Sequence, residues 1–254
     1  MIRGVLLDLS GVLYVGEAVL PGARRAVSAL QKARVPMRFV TNTTRTPRRV
    51  LLDRLADMGF TVSPDLLFTA PRAARDHLVG RGLTPYLVIH PDLAEEFRDF
   101  PRAGANAVLL GDAGPAFTYE RLNAAFRLLM DGAPLLAMGR NRYFRDAEGL
   151  SLDQGPFVAA LENAADTEAV VLGKPARGFF DAAVASLGLP AEEILMVGDD
   201  AEADVDGALA AGLQAALVQT GKYRAGDEAA IAHPGARIFP DVTAVADWLL
   251  AGKA

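Results

Sequence analysis

Four short apolar runs in this chain each end on a residue able to hold a phosphate oxygen or a metal ion. Residues 4–7 end on Asp8, and residues 37–40 end on Thr41. Residues 169–172 pass through Gly173 into Lys174, and residues 194–197 end in Gly198, Asp199 and Asp200. A continuous apolar run bounded by polar residues predicts a strand buried in a parallel sheet. Open α/β sheets bind ligands in the crevice beyond the carboxyl ends of such strands. The four run ends are therefore expected to meet in one site.

The intervals support that layout. Pro21 and Gly22 lead into a helical pattern over 23–33, Pro47 opens a helix ending near Gly59, and Phe68 and Thr69 form a short strand before a helix over 71–79. This rhythm predicts a parallel sheet with right-handed crossovers. From Gly80 to about Val170 the pattern starts afresh, with strands at 86–90, 105–110 and 134–138 and helices at 119–130 and 156–165. The expected fold is α/β: a Rossmann-like parallel-sheet core (1–79 and 171–254) carrying an inserted α/β cap (80–170). Tyr143, Phe144 and Phe157 are expected in the core of the insertion, with lining of the substrate pocket as the alternative. Arg140, Asn141 and Asp153 lie in polar connections that could face the crevice.

Composition removes several classes of function. With 51% hydrophobic and 22% charged residues the chain is a folded globular protein. A net charge of −5 without a basic face argues against nucleic acid as a partner. The absence of cysteine excludes disulfides, thiolate zinc sites and cysteine nucleophiles. His77, His90 and His233 are scattered without ligand spacing, and the glycine-rich stretch 111–114 fits neither a Walker loop nor a dinucleotide fingerprint. Asp8 interrupts the first apolar stretch too early for a signal peptide, and no run approaches the roughly 18 apolar residues that span a bilayer. No membrane partner and a cytoplasmic location are expected. Of the 26 basic residues 22 are arginine, which reads as codon usage.

The spelling at the run ends is DLSGVLY from Asp8, TNTT from Thr41, GKP from Gly173 and GDDAEAD from Gly198. In order, and over nearly the full chain, these resemble the four motifs of the haloacid dehalogenase-like phosphotransferases. The insertion between the second and third resembles the larger α/β cap of the subgroup that includes nucleotide and 4-nitrophenyl phosphatases. YLVIH from Tyr86, NAAFRLLMDGAP from Asn123, GPF from Gly155 and TGKYR from Thr220 further resemble the phospholysine phosphohistidine inorganic pyrophosphate phosphatases and a near haloacid dehalogenase-like hydrolase relative.

The resemblance implies a phosphatase that works through an aspartyl-phosphate on Asp8. It implies Mg²⁺ held by Asp8, the Ser10 carbonyl and Asp199, an oxygen-rich set suited to a hard cation. Lys174 would pair with Asp8 and the phosphoryl oxygens, while Thr41, Asn42 and the Thr43 backbone would hydrogen-bond them. Asp200 and Asp204 would be outer carboxylates that fix the metal waters and Lys174. The expected partner is a small phosphorylated substrate or phosphoamino acid, and the family allows a homodimer. Taken singly, each residue also fits a plainer role: a cap or turn for Asp8 and Thr41, a solvated loop lysine for Lys174, an exposed acidic turn for 199–204.

Ser10 departs from the family pattern, which has a second aspartate there that protonates the leaving group and later activates water. A serine titrates too high for either, which forfeits a factor of about 10² to 10⁴ in acid–base assistance. Leaving groups that need little help suffer least, so phosphohistidine, phospholysine and pyrophosphate are favoured over alkyl phosphates. Two rivals remain: a weakened family member that binds a phosphorylated ligand without turnover, and a phospho-receiver domain. Receivers are about half this length, lack the insertion and carry their aspartate on a later strand.

Overall fold

The computed structural model describes residues 1–145 and 149–252 and divides the chain into two compact units. The first comprises Met1–Thr41, Arg49–Phe68 and Lys174–Ala254, and the second Asn42–Arg48 and Thr69–Gly173.

The first unit is built on a six-stranded sheet. Its strands run in the order Arg237–Phe239, Gln214–Val218, Ile194–Gly198, Gly4–Asp8, Met37–Thr41 and Leu67–Thr69. The Asp8 strand is central and buried along its whole length, as an unbroken Val-Leu-Leu run requires. It pairs in parallel with both neighbours, Asp8 level with Val40 and Leu7 level with Val197. That register brings Asp8, Thr41 and Asp199 to the same edge of the sheet within one residue of each other.

Helices Ala23–Lys32 and Val242–Ala251 cover one face. They bury Ala26, Val27 and Leu30 from the first, and Val245, Ala246 and Leu249 from the second, against Leu7, Phe39 and Val197. Helix Arg177–Leu187 buries Phe179, Phe180 and Ala183, with Phe179 edge-on to Phe68 at 5.3 Å between ring centroids.

The second unit has its own parallel sheet, ordered Val170–Val171, Leu135–Ala137, Ala107–Leu110 and Pro85–Val88. Helix Ala70–Gly80 packs with Ile89, Leu109 and Leu136. Helices Tyr119–Met130 and Gly155–Ala165 pack with Val88, Val108 and Ala137.

Three details differ from the sequence expectation. The helix over 70–80 belongs to the second unit, not the core, because Ala70, Ala74 and Leu78 form an apolar stripe buried in that unit's cluster. The run at 169–172 is not a core strand: Val170 and Val171 pair with Leu136 and Ala137 of the second sheet. An apolar run announces a buried strand without naming the sheet it joins. Tyr143 is not core either, since it lies exposed on a hairpin formed by Tyr143–Arg145 and Leu150–Leu152. Phe157 does pack, stacked on Phe117 at 3.7 Å.

The sheet that carries Asp8 should be sensitive to its core and tolerant at its edge. Phe39 is fully buried beside the Asp8 strand, whereas Ile238 is 45% exposed on the edge strand. Phe39→Ala should cost about 3–5 kcal/mol in urea unfolding, and Ile238→Ala should stay within about 0.5 kcal/mol. Equal losses would contradict the strand order.

Candidate active site

Three carboxylates and one ammonium are buried together at the end of the first unit's sheet. Asp8 closes the central strand, Asp199 follows Gly198 of its neighbour, and Asp204 lies in the π-helical turn Ala201–Asp206. Lys174 reaches in to donate to Asp8 Oδ1 at 2.5 Å and to Asp204 Oδ1 at 2.6 Å. Each of these four side chains is buried.

Local sequence explains the close approach. A Cβ at Gly198 would collide with the Asp204 side chain, and a Cβ at Gly11 would collide with the Asp199 carboxylate. Gly11 also has a φ of 87°, which favours glycine on its own account. Asp200 caps the following turn, its Oδ1 accepting the Ala203 N–H at 2.9 Å, and Asp204 Oδ2 accepts the Asp200 N–H at 3.3 Å. The wide turn thereby folds Asp204 back onto the strand end. π-type turns of this kind recur at functional sites.

The electrostatics are unbalanced. Asp8, Asp199 and Asp204 each offer one oxygen, all within 4.8 Å of one another. Three carboxylates against one ammonium leave a formal −2 in the cluster. At such separations each like-charge pair costs on the order of 3–4 kcal/mol at an effective dielectric of about 20. Burial, opposed by Lys174 and reinforced by Asp204, pushes Asp8 up to about 7. Asp199 is pushed up to about 6, again chiefly by burial, despite the Lys222 N–H it accepts. Burial works against the charge on Lys174, but Asp204 and Asp8 outweigh it and raise its pKa above the ordinary 10.5. Lys174 is thus a fixed cation, and the oxygen-only donor set with its excess negative charge suits a hard dication. The three carboxylates could hold a metal.

The expected residues distribute as follows. Asp8, Lys174, Asp199 and Asp204 come together. Thr41 is buried at the end of the strand beside Asp8, and Asp200 is half-buried next to Asp199. Ser10 is exposed just past the strand. Asn42 and Thr43 are half-buried and fall in the second unit.

Of the insertion's candidates, Arg140 pairs with Glu162 at 2.5 Å, the Asn141 carbonyl accepts the Gly155 N–H, and Asp153 is buried. Sequence reasoning passed over Asp112, which is buried and paired with Arg45 in the second unit. It also left unassigned the turn after Gln214–Val218. There the Lys222 N–H donates to Asp199 Oδ2 at 2.6 Å, and the Thr220 hydroxyl donates to the Gly11 carbonyl at 2.5 Å. TGKYR was the available signal.

Comparison with known proteins agrees with this geometry. Residues 5–101 match the family model of haloacid dehalogenase-like hydrolases, and residues 171–245 match a second HAD-hydrolase-like model. The chain is 45% identical to human haloacid dehalogenase-like hydrolase domain-containing protein 2, over 92% of this chain and 90% of that one. It belongs to the haloacid dehalogenase-like hydrolases.

Within that family it is 40% identical to human phospholysine phosphohistidine inorganic pyrophosphate phosphatase, over 89% of this chain and 86% of that one. A 4-nitrophenylphosphatase from Thermotoga maritima superposes with a TM-score of 0.87 at 27% identity, covering 97% of each chain. Phosphatases thus stand among both its sequence relatives and its structural neighbours, and this haloacid dehalogenase-like chain is an enzyme of that type. No helix among the described residues is long and apolar enough to cross a membrane.

The shifted carboxylates give a pH signature. A carboxyl raised in the fold contributes stability below its ordinary value of 3.8 and loses it as pH rises through about 7 for Asp8 and about 6 for Asp199. Metal-free protein should therefore lose stability across that window. A divalent cation should restore it, so the rise in Tm on adding Mg²⁺ should grow from pH 5 to pH 7.5. Equal increments at both pH values would contradict the assignment.

Proposed function

We propose that this enzyme is a Mg²⁺-dependent phosphatase acting through an aspartyl-phosphate on Asp8, with a preference for P–N bonds and pyrophosphate. The observation that carries the reading is Lys174 held between Asp8 and Asp204 inside a cluster with a formal excess of two negative charges.

Asp8, Asp199 and the Ser10 carbonyl would hold the cation, and Asp204 lies within reach of the same point. Bound there, Mg²⁺ would neutralise the carboxylates and draw charge from the phosphoryl oxygens. Asp8 attacks phosphorus through one carboxylate oxygen, and the bond to the leaving group breaks with its electron pair going to the departing atom. Lys174 keeps its proton and compensates the charge on Asp8 before attack and on the phosphoryl group after it. Thr41 offers a hydroxyl at the same strand edge. Asn42 and the Thr43 backbone, which follow Thr41 in the same motif, would hydrogen-bond the phosphoryl oxygens. Water then attacks phosphorus of the aspartyl-phosphate, which releases phosphate and frees Asp8.

Ser10 shapes the substrate preference. An exposed serine stands where the family carries an acid, so no carboxyl at that position can protonate a departing alkoxide. A phosphohistidine or phospholysine nitrogen that is already protonated leaves without help, and pyrophosphate leaves as a weakly basic phosphate. The same serine favours one alternative, a protein that binds a phosphorylated ligand and turns it over little.

Two variants test these assignments together. Asp8→Asn should lower phosphate release by several orders of magnitude while the fold survives, as expected for a lost nucleophile. Ser10→Asp should raise the ratio of alkyl phosphate to phosphoramidate hydrolysis about tenfold or more. A ratio unchanged with metal affinity intact would remove Ser10 from substrate selection. Tight phosphate binding without release from any substrate would favour the binding protein.

A further inference from the structure

The turn after strand Gln214–Val218 ties together the two loops that carry the proposed nucleophile and metal ligand. On one side the Thr220 hydroxyl donates to the Gly11 carbonyl at 2.5 Å, three residues beyond Asp8. On the other, the Lys222 N–H donates to Asp199 Oδ2 at 2.6 Å and the Lys222 ammonium to Asp200 Oδ2 at 3.1 Å. Gly221, between them, leaves no room for a side chain. With a φ of 65°, its Cβ would run into the Asp199 carboxylate and the Gly11 Cα. The turn is braced from behind as well, since Gln219 Nε2 donates to the Tyr223 hydroxyl at 3.0 Å and that hydroxyl donates to Glu228 Oε1 at 2.6 Å.

Residue choice points the same way. The chain uses arginine as its default cation, 22 arginines against four lysines, yet two of those four lysines are Lys174 and Lys222. At 222 a lysine sets a compact ammonium, not the planar fork of an arginine, against Asp200. Lys222 is exposed, so the Coulombic part of its pairing with Asp200 is screened by water. Its value lies in where it holds that carboxylate.

We propose that Thr220, Gly221 and Lys222 form a positioning clasp. It holds Asp199 and Asp200 against the Gly11 loop and thereby sets the affinity of the carboxylate cluster for its cation. The clasp rests on the metal reading of that cluster. A direct hydrogen-bond partner of a metal ligand typically changes metal affinity by about 10–100-fold when removed.

Direct binding of Mn²⁺ to the full chain, followed by electron paramagnetic resonance without substrate, reads the effect apart from activity. Thermal melts of the metal-free proteins check the fold. Thr220→Val and Lys222→Met each remove a contact one step beyond the ligands. They should weaken Mn²⁺ binding about threefold to tenfold, below the range for a lost partner of a ligand itself, while Lys32→Met, a change at an exposed lysine elsewhere, should not. Lys222→Arg should also weaken it, because the guanidinium keeps the charge and loses the placement. Folded Thr220→Val and Lys222→Met proteins that bind as the parent does would overturn the clasp. Parental affinity in Lys222→Arg alone would overturn the requirement for an ammonium. If the parent itself binds no Mn²⁺, the metal reading fails first, which distinguishes the two failures.

Discussion

The ammonium of Lys174, buried between Asp8 and Asp204, is the contact on which the rest of the site depends. Removing one partner of a buried ion pair is strongly destabilising, by about 3–5 kcal/mol, because the other charge is left uncompensated. Here the pair sits beside a third carboxylate, Asp199, so one ammonium meets only part of the charge. The structure tolerates that imbalance at the edge of its sheet and nowhere in the apolar layers beneath, where Leu7, Phe39 and Val197 pack. Such a cluster is suited to a cation and a phosphoryl group, and poorly suited to being a structural element alone.

The scaffold makes the cluster possible by register. The Asp8 strand is paired on both sides, so the ends of three parallel strands are fixed within one residue of each other by backbone hydrogen bonds. Glycines then remove the remaining obstacles: Gly198 lets Asp204 fold back onto the sheet, and Gly11 and Gly221 let two loops close on Asp199. Asp8 closes a rigid strand and Asp199 directly follows one, while the turns beyond them place Asp204 and Lys174. An aspartate placed this way needs no rearrangement of its own backbone to remain beside its counter-charge.

Much of this was legible in the sequence, for a physical reason. Asp8, Thr41 and Asp199 interrupt apolar runs where a buried strand must stop, so the ends of those runs located them. The depth of Asp204 was less accessible, because GDDAEAD reads equally as an exposed acidic turn until Gly198 is seen to make room for it. Lys174 was singled out although its run was placed in the wrong sheet. Val170 and Val171 belong to the second unit, and only the residues after them enter the first. The helix over 70–80 was likewise misplaced, since an apolar stripe shows that a face is buried without showing against what. The Thr220–Gly221–Lys222 turn was marked only by the TGKYR spelling, which gave it no role. Its contacts run through a backbone N–H, a hydroxyl and the absence of a Cβ, none of which leaves a periodic signal.

The central claim is that Asp8, held against Lys174, is the group that takes the phosphoryl moiety. Borohydride added during turnover of phosphoramidate reduces an acyl phosphate to an alcohol, and peptide mass analysis then locates the modified residue. Homoserine is expected at position 8, dependent on both substrate and Mg²⁺. Continued turnover with residue 8 unmodified, or reduction at another carboxylate, would contradict it.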